Sequence, residues 1–206
     1  MRKKRYFTLS FTAASLRLNE TISLAKIAHD NGISDFHLIT EKSSIFASVK
    51  TRTTDREFRE IRHRLEHLTK NQLDILISGN LISQKQIAFV SVCKQYNFIK
   101  DFTIEVINDK SQVYNYHISE TDFNSFLRNK TTNHPELEEF AESTLKKAKQ
   151  VMFHIFEQVG IIDNIVDKRI QPQLLSPSVM KAVAEDDRNL LKLFMFSDRD
   201  IKELQY

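Results

Sequence analysis

The chain has 206 residues, enough to bury a substantial core, and carries 30 Lys and Arg against 27 Asp and Glu, a formal charge of +3. That balance excludes polyanion binding by net charge alone, so any nucleic-acid partner must be held by local clusters. Three glycines, three prolines and one cysteine leave little provision for turns, exclude an intramolecular disulfide or cysteine-rich zinc site, and close off a glycine-rich phosphate loop.

Met1 to Arg5 form a basic arm that either touches phosphate or frays in solvent. No apolar segment of signal-peptide or membrane-spanning length follows, so the expectation is a soluble protein of a reducing, cytoplasmic compartment, with no membrane partner. Thr12 or Ser15 can cap a helix through about Asn31, with Leu16, Ile22, Leu24, Ile27 and Ala28 on its buried side and Asn31-Gly32 as its left-handed stop. Between Ile33 and Val49, Phe36, Leu38, Ile39, Ile45 and Phe46 can seat a loop and a short helix. Thr54-Asp55-Arg56-Glu57 has the form of a capping box and predicts a helix to about Thr69, buried through Phe58, Ile61, Leu65 and Leu68. Arg52, Arg56, Arg59 and His63 project together from its other side, while Glu60 with Arg64 and Arg62 with Glu66 have the spacing of ordinary surface ion pairs.

A short helix from Asn71 to Ser78 closes at Gly79-Asn80, and Ser83 to Gln86 repeats the capping pattern. The helix it opens, running to Tyr96, is apolar on most sides (Ile87, Ala88, Phe89, Val90, Val92, Cys93), which predicts the central spine of the fold. Cys93 there is a small buried hydrophobe. A second apolar helix, Phe98 to Ile107, adjoins it. Asn108-Asp109-Lys110-Ser111 is the clearest polar break, and a domain boundary is placed there, with an N-terminal helical bundle over 1–108 and a second domain over 109–206.

In the second half, Val113 to His117 alternates weakly as a short strand. Ser119 caps a helix Glu120 to Arg128, a polar loop runs to His134, and Pro135 opens a short helix to Ala141. A long helix follows from Ser143 or Thr144 to a stop at Gly160. Leu145, Ala148, Val151, Met152, Ile155, Phe156 and Val159 recur along it at the three-and-four spacing of a buried face. Ser143, Lys146, Lys147, Gln150 and His154 fall on its opposite side. Gly160-Ile161-Ile162, a charged turn and Arg169-Ile170-Gln171 complete the order helix, strand, turn, strand, which is that of a recognition helix and its wing. The predicted fold is therefore mainly α, a helical bundle followed by a winged-helix-like domain with a small β-hairpin. Ser176-Pro177 starts a further helix through Ala184, and Asp187 to Phe196 packs back on the domain.

Catalytic signatures are absent from the sequence. The seven histidines show no HExxH spacing, there is no Gly-x-Ser-x-Gly, and Asp200-Ile201-Lys202 is a D-x-K triplet without a strand context. A non-enzyme that needs neither cofactor nor metal is expected. Its partner is read as double-stranded DNA. Lys146, Lys147 and Lys149 would hold phosphates, and Ser143, Gln150 and His154 would face the bases. Lys168 and Arg169 in the wing turn, with Arg52, Arg56 and Arg59 from the first half, would extend the backbone footprint. The competing reading is that both polar faces are only solvated. Monomer and homodimer both stay open, since no heptad marks a symmetric surface.

The chain resembles the BrxA family of bacteriophage exclusion (BREX) systems over nearly its full length. The resemblance is carried by Tyr6 with Ala14-Ser15-Leu16, Thr51-Arg52-Thr53-Thr54, Arg64-Leu65 with Leu68, Lys94-Gln95-Tyr96, and Asp101-Phe102 with Glu105-Val106. It continues through Phe126-Leu127, Pro135-Glu136-Leu137, Glu142-Ser143-Thr144, Gly160-Ile161-Ile162 and Pro172-Gln173-Leu174-Leu175-Ser176. None is a chemical signature; the specificity lies in their joint order and spacing. The resemblance implies a small cytoplasmic subunit of a phage-defence locus that also holds a DNA methyltransferase, with duplex DNA and other BREX subunits as partners. Two further readings accompany it: a scaffold subunit, marked by an exposed apolar patch around Phe194 and Phe196, and an RNA-binding antitermination-like factor, marked by Arg52, Arg56 and Arg59 clustering with the N-terminal arm.

Overall fold

A helix that is apolar on nearly every side must be surrounded, and the other elements are arranged around one. The computed structural model describes residues 7–33, 35–39, 45–46 and 52–204; the basic arm and residues 34, 40–44 and 47–51 lie outside them. Helix α4 (Leu81–Gln95) is the spine, with every residue from Gln86 to Cys93 buried. Against it pack α1 (Leu18–Asp30), α2 (Arg52–Leu65), α3 (Lys70–Ser78), α5 (Asn97–Phe102), and, from the second half, α8 (Glu142–Val159) and α9 (Pro177–Asp186). Cys93 is fully buried, and desolvation raises its thiol well above the ordinary range.

Local chemistry sets most of the ends. Gly32 (φ +63°) and Gly160 (φ +89°) adopt the left-handed conformation that closes α1 and α8, and Ile33 N–H reaches back to the Ala28 carbonyl at 2.8 Å to complete the turn after α1. Thr69 and Gln72 form a capping box on α3, and Ser119 with Asp122 forms one on α7 (Glu120–Asn133). Several sequence expectations move. The first helix starts at Leu18 from a left-handed Arg17, preceded by a 3-10 turn at Ser10–Ala13, because neither Thr12 nor Ser15 supplies a cap. Asn80, not Ser83, caps α4 through a 2.9 Å bond from Ser83 N–H. Thr54 lies inside α2, helix α7 absorbs the expected loop at 129–133, and a 3-10 turn at Pro135–Leu137 replaces the short helix after Pro135.

The two expected surface ion pairs on α2 do not form. Arg64 is buried, donating to the carbonyls of Ser15 and Ala14, both at 2.6 Å, with its guanidinium 5.5 Å from the Tyr96 ring. Glu60 instead accepts from the Tyr96 hydroxyl. Arg62 donates to the carbonyls of His37 (3.2 Å) and Ile39 (3.4 Å). Helices that look solvated in sequence are thus tied to distant backbone.

The polar break at 108–111 lies inside a continuous helical run. After α5 the chain widens into a π-turn at Thr103–Asn108 and returns to α-helix as α6 (Asp109–Gln112). Thr103 donates to the Ile99 carbonyl at 2.8 Å, and Asn108 is buried. Phe102 stands at the joint, its ring centroid within 6.0 Å of those of Phe123, Phe126, Phe153 and Phe156. Buried residues from both sides of position 108 belong to one cluster.

Candidate nucleic-acid interface

Helix α8 is amphipathic as its spacing requires. Ala148, Val151, Met152, Phe153, Ile155, Phe156 and Val159 are buried, and Phe153, absent from the expected stripe, widens it. Ser143, Lys146, Lys147 and Gln150 are exposed. Ser143 does not cap the helix; Ala141 occupies that position without a side-chain bond. His154 is half-buried and turned along the helix to Glu157, Nδ1 to Oε2 3.4 Å.

The segment after Gly160 is fixed by backbone. Two isolated antiparallel bridges, Ile162 with Ile170 and His117 with Arg169, stand where the sequence suggests a hairpin. Gln171 N–H donates to the Ile161 carbonyl and Ile170 N–H to the Tyr116 carbonyl, both at 2.8 Å. Asn164 Oδ1 accepts from Val166 and Asp167 N–H, folding the tip into an Asx turn. Lys168 adopts φ +51° there, a conformation an L side chain rarely takes. Its N–H donates to the Asn164 carbonyl at 3.0 Å and its carbonyl accepts from Ile118 at 3.2 Å, so surrounding bonds enforce it.

This geometry brings cations from helix and turn to one point. Glu120, in the first turn of α7, accepts from Lys149 Nζ and lies 3.7 Å from Lys168 Nζ. Lys149 also covers the Phe123 ring at 4.9 Å, and Lys168 lies 5.6 Å from the Phe153 ring centroid. Hydrogen bonding to Lys149 is the leading reason that the Glu120 carboxyl sits below its ordinary range. Sequence spacing could not reveal Glu120, which is 29 residues from Lys149 along the chain. It also gave no weight to Tyr114, Tyr116 and His117, which are exposed and lie beside the Arg169 bridge, with the two tyrosine rings 6.5 Å apart.

Arg52, Arg56 and Arg59 are exposed on α2. That helix and α8 share α4 and the 10–13 turn as neighbours, so the two basic faces belong to separate elements of one framework. The N-terminal arm expected to join the arginines lies outside the described residues. Phe194 is buried and Phe196 partly so, so the apolar patch expected around them is largely covered. Asp200 is used structurally, accepting from Ser197 N–H (2.7 Å) and Oγ (2.6 Å) at the start of α10 (Asp198–Glu203). No helix among the described residues is long and apolar enough to cross a membrane.

Comparison with known proteins adds three findings. A family model described as BrxA matches residues 5–187. The BREX protein BrxA of Escherichia coli O9:H4 (strain HS) is 23% identical over 147 residues, which is 70% of this chain and 69% of that protein. The crystal structure of an uncharacterized protein from Magnetospirillum magneticum superposes with a TM-score of 0.76 at 18% identity, covering 93% of this chain and 98% of the other, a likeness of fold.

Proposed function

We propose, from the premise that this chain belongs to the BrxA family, that it is a non-enzymatic subunit of a BREX-type phage-defence system that binds duplex DNA through backbone phosphates. One observation carries the reading. A single carboxylate, Glu120, ties Lys149 of α8 to Lys168 of the 163–169 turn, so the lysine-bearing helix and the turn that carries Arg169 stand side by side. In this reading α8 acts as a recognition helix and the turn as its wing, with Lys146, Lys147 and Arg169 as the cations free to engage phosphate and Ser143 and Gln150 nearest the bases. Few side chains on this face read bases bidentately, so affinity is mostly electrostatic and weakly sequence-dependent.

The test is a gel-shift titration on random duplex at two salt concentrations. Three engaged cations give a slope of about −2.7 in log K against log salt, or about a fortyfold loss from 50 to 200 mM. Lys146→Glu/Lys147→Glu should abolish the shift, whereas Arg56→Glu/Arg59→Glu should leave most of it. Binding indifferent to salt, or lost only in the arginine variant, would remove α8 from the interface.

A second reading, a scaffold that contacts other BREX subunits, is favoured by the large apolar side chains left in solvent at Val113, Tyr114, Val166 and Leu174. Val113, Tyr114 and Leu174 lie outside both α8 and the 163–169 turn and leave room for the first reading, whereas Val166 sits in the turn that reading places on DNA.

A further inference from the structure

Three potential metal ligands drawn from two separate elements meet at the C-terminal end of α2. His63 and Glu66 lie three residues apart on its last turn, which Glu66 N–H extends by donating to the Arg62 carbonyl at 3.2 Å. His37 arrives from the 3-10 turn Phe36–Leu38, and one ligand atom from each of the three lies within 4.8 Å of the others. His37 Nε2 is 2.7 Å from Glu66 Oε1, His63 Nδ1 is 3.8 Å from Glu66 Oε2, and the imidazole centroids are 5.3 Å apart. A tetrahedral ion bound at about 2.0–2.1 Å separates its ligand atoms by about 3.4 Å, a value these two distances bracket, so small side-chain rotations suffice.

The backbone beneath is fixed independently of any ion. Asp35 Oδ1 accepts from His37 N–H at 2.9 Å, Arg62 grips the His37 and Ile39 carbonyls, and Phe36 and Ile39 are buried on either side. Arg62 spends its charge on those carbonyls and on the Phe58 ring, 4.9 Å away, and not on Glu66. The three ligands remain partly solvent-accessible, which gives an ion an entry path and leaves a coordination position for water.

We propose that His37, His63 and Glu66 form a binding site for a divalent first-row transition metal, with zinc as the type case. Two imidazoles and one carboxylate suit Zn²⁺, Ni²⁺ or Co²⁺ and do not suit Mg²⁺ or Ca²⁺, which demand oxygen. The ion takes the place of the direct His37–Glu66 contact and pins the Phe36–Leu38 turn to the helix that carries Arg52, Arg56 and Arg59.

The test is calorimetric titration of the untagged full chain with Zn²⁺ and with Mg²⁺, supported by the visible absorption of added Co²⁺. One equivalent of Zn²⁺ should bind with a Kd in the micromolar range, with no response to Mg²⁺. His37→Ala and His63→Ala should each weaken binding about tenfold or more, while His29→Ala, on α1, should not. Far-UV circular dichroism in chelator confirms that the variants remain folded. No binding at about 1 mM Zn²⁺, or equal binding by wild type and both variants, overturns the site and leaves the His37–Glu66 contact a plain side-chain contact.

Discussion

Replacing Glu120 with glutamine tests whether the α8 lysines are poised for phosphate. The carboxylate is 63% exposed, and an exposed pair is worth no more than about 1 kcal/mol, so the substitution should cost little stability. Its effect on DNA should be larger. With Glu120 in place, Lys149 and Lys168 are neutralised within the protein and release no counterions. Freed, each adds about 0.9 to the salt slope and, at 0.1 M salt, up to about eightfold in affinity. Lys149 is held more closely than Lys168, so one lysine's worth is the expected gain, close to the eightfold ceiling, and the slope should steepen from about −2.7 towards −3.6. Because hydrogen bonding to Lys149 holds Glu120 below its ordinary range, the carboxylate stays charged across neutral and mildly acidic pH, and only substitution removes it. The control is Glu185→Gln on α9, which changes net charge identically beside Lys181. Fluorescence anisotropy on a labelled duplex at several salt concentrations gives both quantities. Equal gains in the two variants would reduce the effect to net charge; no gain in either would place Lys149 and Lys168 away from DNA.

Two further outcomes concern the framework. Arg64→Met strands the Ala14 and Ser15 carbonyls, each at a cost of about 1–3 kcal/mol, partly offset by removing a buried charge, so a net loss of about 2–4 kcal/mol is expected. In a chain of this size that lowers Tm by on the order of 10 °C, and an unchanged melting curve would refute the role of Arg64. Tyr96 is pushed up to about 12, first by burial, with the Glu60 carboxylate adding to it. Its ionisation is therefore disfavoured in the folded chain. Stability should fall as pH rises from about 10 to about 12, by up to about 1.4 kcal/mol per pH unit. Tyr96→Phe should show a shallower alkaline decline in melts at pH 9 and 11, and parallel declines would contradict the assignment.

What the sequence disclosed follows a physical division. The spine α4 was legible because a helix apolar on every side has one solution, and Gly32 and Gly160 were legible because an αL stop selects glycine. The amphipathy of α8 and its exposed lysines followed from period alone. Arg62 and Arg64 were misplaced for the opposite reason. Their i,i+4 neighbours suggested surface pairs, yet their partners lie 23 to 50 residues away in backbone carbonyls, which have no sequence signature. The same distance hid Glu120 and separated His37 from His63. Turn chemistry failed more locally. Ser83 fits the capping pattern as well as Asn80 does, yet it lies inside α4 and donates its N–H to the Asn80 side chain, and Thr54 lies inside α2.

The π-turn at Thr103–Asn108 holds one residue more than an α-helix needs over the same rise. Every side chain after it is rotated by about 100° from the register that the preceding helix would impose. The joint therefore records length, not composition. Removing one residue from this turn would restore a regular helix and yet swing Asp109–Gln112 a quarter-turn out of place, taking the approach to His117 and its bridge to Arg169 with it. A one-residue gap at this joint would therefore re-aim the segment that follows it, even where every lysine and arginine is retained.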